Sequence, residues 1–121
     1  LPKVYGPGIN EDLRTIYGFP GQPGWRWTHG HVDNVAQAIA LAVLHPAAAR
    51  RVYNVGEGTT PTMGERLAVL PEWDLPLQDA AAYDFAHHLA YDTRRIRVEL
   101  GFREDRPEEE AMLQVARGLL R

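Results

Sequence analysis

The stretch from Trp25 to Glu57 is the longest run in which neighbouring segments predict compatible structures. Large apolar and polar residues alternate over Trp25–Thr28, which predicts a short strand. The spacing of a one-sided apolar helix face follows over Asn34–His45, formed by Val35, Ala38, Ile39, Ala42 and Val43. A second strand is predicted over Arg51–Val55, before Gly56. A strand, a helix and a strand in this order favour an α/β fold.

Local signals set the ends of this central helix and of a helix before it. Asp33 or Asn34 can cap the central helix, and Pro46 can end it. Asn10 can cap a short helix that runs to Ile16. We therefore expect several short helices and a few short strands.

Three more helices are predicted downstream. Thr62 and Glu65 have the spacing of a capping box. Asp92 can cap a helix that ends at Gly101 in the left-handed conformation. Pro107 suits the first turn of a last helix. The apolar face of that helix comprises Met112, Leu113, Val115, Ala116, Leu119 and Leu120. Short strands are predicted over 1–5 and 89–91.

Size and charge limit the classes of function. The 121 residues are enough for a single domain over 1–121. The formal net charge is −3 without a basic block, which argues against a nucleic-acid partner. No cysteine is present, and no apolar run approaches the ~20 residues of a membrane span. We expect a cytoplasmic location. Because Leu1 is not Met and residues 1–8 predict a strand that ends in a turn, we also expect a fragment of a longer protein.

A glycine spacing typical of dinucleotide-binding turns occurs at Gly18, Gly21 and Gly24. A phosphate-binding turn follows a buried strand and opens a helix. Here Pro20 and Pro23 interrupt the motif, and a strand-like segment follows it. We expect a plain loop.

The alternating residues His29, His31 and Asp33 would share one face of a strand. Three such groups are a conceivable metal-ligand set, and a small metal-dependent hydrolase is one interpretation. The other interpretation has Asp33 as a helix cap and the histidines in local packing. We expect the second, and therefore no metal site.

Arg26 lies between two tryptophans. It could bind a phosphate or a carboxylate, or stack on an indole ring. Alternation instead predicts that Trp25 and Trp27 cover one strand face while Arg26 lies on the solvated face. Both interpretations stay open from the residues alone.

Four segments in order resemble the C-terminal portion of extended short-chain dehydrogenases/reductases, the NAD-dependent epimerase/dehydratase family. They are VYGPG at 4–8, HVDNVAQAIALAVLHP at 31–46, RVYNVGE at 51–57 and DTRRIRVELGF at 92–102. The resemblance covers nearly all of the chain except 9–24 and 71–86.

The resemblance implies a small substrate-binding lid, with most of the Rossmann sheet absent. In the complete protein, NAD or NADP would be held by a missing N-terminal Rossmann domain. The family's glycine-rich turn and Tyr-x-x-x-Lys pair do not occur, since the sole lysine is Lys3. We therefore expect no catalytic residue in this chain, no bound cofactor and no activity of the chain alone.

The same resemblance assigns candidate site residues. Lys3 takes the place of a family asparagine that touches the substrate, and Leu1 falls where the backbone passes the nicotinamide. Trp27 replaces an arginine that often meets substrate phosphates, with Arg26 one position away. The expected function is the substrate-binding part of an NAD(P)-dependent epimerase, dehydratase or reductase acting on a small molecule, possibly a nucleotide-sugar. The alternative is a non-catalytic binding or regulatory module with the same lid fold.

Overall fold

A parallel pair of strands, β1 (Lys3–Tyr5) and β2 (His29–His31), lies between the helices. The computed structural model describes residues 1–77 and 82–119, which form a small mixed α/β domain with five α-helices and this two-stranded sheet. The register pairs Lys3 with His29, Val4 with Gly30 and Tyr5 with His31. The structure therefore confirms the predicted first strand and the predicted α/β class.

The predicted strand over Trp25–Thr28 is wrong, because β2 starts only at His29. Residues 25–28 make isolated bridges, from Arg26 to Thr62 and from Trp27 to Leu89. The two bridges reach different segments, so no ladder of successive pairs can form. For the same reason the predicted strand over 89–91 is reduced to one bridge at Leu89.

The predicted strand over Arg51–Val55 is also wrong, and this segment has no regular structure. Its side chains fix it to the helix over Arg94–Leu100, which contains Glu99. The guanidinium of Arg51 donates to both oxygens of Glu99 at 2.9 and 2.8 Å, and the Tyr53 hydroxyl donates to the same carboxylate at 3.2 Å. Val55 is buried in the core. Side-chain packing thus replaces strand pairing here.

Helix α2 (Val32–Leu44) begins directly after β2, two residues earlier than predicted. Its N-cap is His31, whose Nδ1 accepts the backbone N–H of Asp33 at 3.1 Å. The predicted caps Asp33 and Asn34 are wrong, because the chain is already helical at both residues. The Asn34 amide instead donates to the carbonyl of Arg106 at 2.7 Å.

Helix α1 (Arg14–Tyr17) is shorter than predicted. Asn10 and Leu13 have positive φ angles of 49° and 51°, so the chain becomes helical only at Arg14. Asn10 is therefore not the cap, and its amide donates to the Thr15 hydroxyl at 2.8 Å.

Helix α3 (Met63–Val69) carries the predicted capping box. The Glu65 N–H donates to the Thr62 hydroxyl at 3.1 Å, and the Thr62 N–H donates to the Glu65 carboxylate at 3.0 Å. Helix α2 ends at Leu44, before Pro46 as predicted, and a short 3-10 turn over Pro46–Ala48 follows it.

Helix α4 (Arg94–Leu100) ends at Gly101, whose φ of 69° is left-handed as predicted. Its N-cap is Thr93, one residue after the predicted cap, although the Asp92 carboxylate accepts the Arg94 N–H at 3.0 Å. Helix α5 (Glu108–Gly118) is confirmed, with Pro107 at its N-cap instead of in its first turn. Leu120, predicted on its apolar face, lies outside the described residues.

Two groups of buried side chains form the core. The larger lies around β1, β2, α1, α3 and α5 and contains Tyr5, Leu13, Ile16, Tyr17, Phe19, Trp25, Trp27, Met63, Leu70, Met112 and Ala116. The smaller lies between α2 and α4 and contains Val35, Ala38, Val55, Ile96, Leu100 and Phe102. The apolar face predicted for α2 is only partly covered, since Val43 is 75% exposed.

No helix among the described residues is both long and apolar enough to cross a membrane.

Candidate functional site

The structure brings Lys3 and Trp27 together. The backbone N–H of Lys3 donates to the carbonyl of Thr28 at 2.9 Å, which fixes β1 beside the segment that carries Trp27. The Lys3 ammonium then lies 5.9 Å from the centre of the Trp27 ring, within the range of a cation–π interaction. A cation and a largely buried indole thus lie side by side at the start of β1.

Trp27 is also part of an aromatic cluster. It is 9% exposed and packs against Phe19, Trp25 and Tyr83, with ring centroids between 5.4 and 6.5 Å apart. Most of the indole is therefore held by the core, which fixes its orientation. Lys3, which lies beside this buried ring, is itself half-buried.

Arg26 is bound to a different segment of the chain. Its guanidinium donates to the carbonyl of Thr60 at 2.5 Å, and its backbone N–H donates to Nδ1 of His88 at 3.1 Å. The side chain is thus held on the 60–62 segment, and it has no described bond to Lys3 or Trp27.

Leu1 is 77% exposed and contributes to a second surface. It lines a shallow apolar groove of about 320 Å³ together with Ile39 and Val43 of α2. Since Ile39 and Val43 are themselves exposed, this groove is a partly uncovered helix face.

The imidazole of His29 is fully buried and has a partner at each nitrogen. Its Nδ1 lies 2.6 Å from the carbonyl of Trp27, and its Nε2 lies 2.8 Å from the hydroxyl of Thr15. Because a carbonyl can only accept, Nδ1 carries the proton and Nε2 accepts from Thr15. Burial lowers the pKa of His29 to about 3, and the positive charge of Arg66 acts in the same direction.

The side chains of His29, His31 and Asp33, the alternative metal-ligand set, are not placed around a common point. His29 is engaged as described, Nδ1 of His31 caps α2, and the Asp33 side chain is 61% exposed. Over residues 1–77 and 82–119, no group of three or more His, Asp or Glu side chains is placed to hold a metal ion.

A buried ion pair between Glu57 and Arg66 was not predicted from the sequence. Both residues are about 95% buried, and the two guanidinium nitrogens bond both carboxylate oxygens of Glu57. The same carboxylate accepts the N–H of His29 at 2.8 Å, and Arg66 also donates to the carbonyl of Trp27 at 3.1 Å. Burial raises the pKa of the Glu57 carboxyl, while the bonds from Arg66 oppose that shift. The pair therefore connects α3 to β2 and to the Trp27 backbone.

A second unpredicted connection is made by Glu108, the first residue of α5. Its carboxylate accepts the Tyr5 hydroxyl at 2.7 Å, the His31 N–H at 3.1 Å and the Asn34 amide at 3.0 Å. Burial raises the pKa of the Tyr5 hydroxyl, and the Glu108 charge adds to that effect. Glu108 directly follows Pro107 at the start of the predicted last helix, and this position alone could not reveal that its side chain turns inward.

A groove with a volume of about 790 Å³ lies between α3 and α5. Its lining includes the buried pair Glu57 and Arg66, apolar side chains of both helices, and the exposed Glu109 and Glu110. None of the predicted substrate residues lines it.

No family model matches the chain, and no match was found among curated proteins or among solved structures.

Proposed function

We propose that this chain is the substrate-binding part of an NAD(P)-dependent epimerase, dehydratase or reductase of the extended short-chain dehydrogenase type. The observation that carries the proposal is the juxtaposition of Lys3 and Trp27, two residues predicted to meet the substrate that lie 24 positions apart and come within 5.9 Å. A cation beside an indole suits a ligand with an anionic group next to a ring or a sugar face. A nucleotide-sugar has both, and it is the substrate class we propose.

The uncovered face of α2 supports a second part of the proposal. Parallel sheets are normally covered on both faces and contain more than two strands. Here a two-stranded parallel sheet occurs together with an apolar groove formed by Leu1, Ile39 and Val43. We propose that a Rossmann domain covers this groove in the complete cytoplasmic enzyme, which would place the exposed Leu1 beside its cofactor.

The described residues do not form the turn and helix that a dinucleotide-binding site needs. The loop with Gly18, Gly21 and Gly24 leads into Trp25, and no helix begins there to receive a pyrophosphate. Leu1 offers only an apolar side chain and a backbone. In this proposal the chain therefore binds and orients the substrate, and the cofactor site lies in the Rossmann domain.

The chain alone is expected to show no saturable binding of NAD(H) or NADP(H) and no hydride transfer. The reason is the absence of a phosphate-binding turn among the described residues and of the Tyr-x-x-x-Lys pair in the sequence. Isothermal titration calorimetry with all four nucleotide forms measures this. Low-micromolar affinity for any of them would contradict the assignment of the cofactor site to another domain.

Replacing Lys3 with Gln is expected to weaken binding of a nucleotide-sugar probe, UDP-glucose, by about tenfold. The substitution removes the cation beside Trp27 while keeping a side chain of similar length. Titration followed by Trp fluorescence measures the change, because Trp27 lies at the proposed site.

The matched control is Arg103→Gln, which removes one positive charge from an exposed residue of another surface. Equal weakening by both variants would indicate a general charge effect and would refute the Lys3 site. Absence of any UDP-glucose binding by the unmodified chain would also count against it. A parent gene without an upstream Rossmann segment would favour the non-catalytic binding module instead.

A further inference from the structure

The groove between α3 and α5 combines an apolar interior with an acidic edge. Leu70 and Met112 line it and are buried, whereas Val69 lines it and is 73% exposed. Glu109 and Glu110 line it from the first turn of α5 and are exposed. An exposed valine inside a groove of about 790 Å³ leaves apolar area open to a partner.

The carboxylates of the groove fall into two sets. Four of them are already neutralised or hydrogen-bonded within the domain: Glu57 by Arg66, Glu65 by the Thr62 N–H, Glu104 by Arg97, and Glu108 by Tyr5 and the start of α2. The ion pairs of the described residues involve neither Glu109 nor Glu110. These two charges at the mouth of the groove are thus available to an external cation.

The groove also contains a buried donor. Arg66 lines it, is 4% exposed, and has an Nε–H without a hydrogen-bond acceptor among the described residues. A buried donor without an acceptor is costly and uncommon in folded proteins. Because this Nε–H is itself buried, it is not open to a ligand, and the groove selects a ligand by its charged edge and its apolar lining.

We propose that this groove binds a basic, amphipathic polypeptide segment of a partner protein. Such a segment has lysine or arginine side chains for Glu109 and Glu110 and apolar side chains for Val69 and Leu70. A polyamine has cations without apolar side chains, and a fatty acyl chain has apolar surface without a cation. The polypeptide is the class that matches both features, and recognition of a helix in an apolar groove is a common mode of peptide binding.

The probe for this proposal is a peptide of about 18 residues made of leucine and lysine, with leucines spaced for one helix face. Fluorescence anisotropy of the labelled peptide measures its affinity for the protein. Glu109→Gln/Glu110→Gln is expected to weaken binding by about tenfold, and Val69→Ser by a smaller factor. Increasing salt is expected to weaken binding to the unmodified protein, since the rim charges are exposed.

The matched control is Glu72→Gln/Asp74→Asn, which also removes two exposed negative charges but leaves the groove lining unchanged. Equal weakening by the two double variants would overturn the proposal in favour of a non-specific charge effect. Competition by spermidine as strong as that of the unlabelled peptide would overturn it in favour of a small cation. Self-association in analytical ultracentrifugation that Glu109→Gln/Glu110→Gln abolishes would show that a second copy of this chain fills the groove instead.

Discussion

Arg66→Met is expected to lower the free energy of unfolding by about 3–5 kcal/mol, the range for a buried ion pair that loses one partner. The Glu57 carboxylate would remain about 95% buried without its cation, and the Trp27 carbonyl would lose a donor. Burial already raises the pKa of Glu57, and loss of Arg66 removes the charge that opposes this shift, so the carboxyl is expected to protonate at a higher pH in the variant than in the unmodified protein. Urea unfolding at pH 7, followed by Trp fluorescence, measures the loss.

Two further variants distinguish the effect of losing the Glu57–Arg66 ion pair from the effect of losing side-chain packing. Glu57→Gln/Arg66→Met removes both charges but keeps an amide oxygen that can accept the His29 N–H, so it is expected to recover part of the stability lost in Arg66→Met. Arg95→Met breaks an exposed pair with Glu99 and is expected to cost less than 1 kcal/mol. If Arg66→Met is no more destabilising than Arg95→Met, the Glu57–Arg66 pair does not connect α3 to the core as described.

Local signals predicted the helices well and some of their ends. The capping box of Thr62 and Glu65, and the left-handed stop at Gly101, are confirmed because both depend on residues within a few positions of each other. The cap of α2 was wrong because a histidine took the role usually filled by Asp or Asn. His31 ends β2 in an extended conformation, so its Nδ1 is already placed beside the first free N–H of the helix.

Strands were predicted less well, because strand pairing depends on partners distant in sequence. Alternation at Trp25–Thr28 is present, but this segment lies between Thr62 and Leu89 and pairs once with each. The same limit applies to the polar network. Glu108 bonds Tyr5 across a separation of 103 residues, and no spacing rule relates two such positions. The nearness of Lys3 and Trp27 was expected from a family resemblance and not from the residues alone.

Acid is expected to destabilise the domain through His29. Burial, together with the charge of Arg66, lowers the pKa of this imidazole to about 3 in the folded state, against an ordinary value of 6.5. The folded state therefore favours the neutral ring, and the unfolded state takes up a proton first. The resulting stability is fully present above pH 6.5 and is lost as the pH falls from 6.5 toward 3, by at most about 1.4 kcal/mol per pH unit.

The pKa shifts of other groups also make stability depend on pH, so their effects must be separated from the effect of His29. Burial also lowers the pKa of His31, which adds an effect of the same sign. Burial raises the pKa of Glu57, so its contribution has the opposite sign and favours the folded state as the pH falls. The difference between the unmodified protein and His29→Gln isolates the His29 contribution, because the other groups remain in both.

That difference is expected to shrink by about 2 kcal/mol between pH 7 and pH 5, because the unmodified protein loses more stability over this range than the variant does. The physical reason is the burial of the ring, to which the positive charge of Arg66 adds. The Nδ1–H donates to Trp27 and Nε2 accepts from Thr15, so protonation of Nε2 would also require the Thr15 hydroxyl to change from donor to acceptor. NMR titration of the His29 ring gives an independent measurement, and a midpoint near pH 6.5 in the folded protein would refute this account. Because Trp27 contacts both this ring and Lys3, a protonated His29 would also disturb the proposed substrate surface before the domain unfolds.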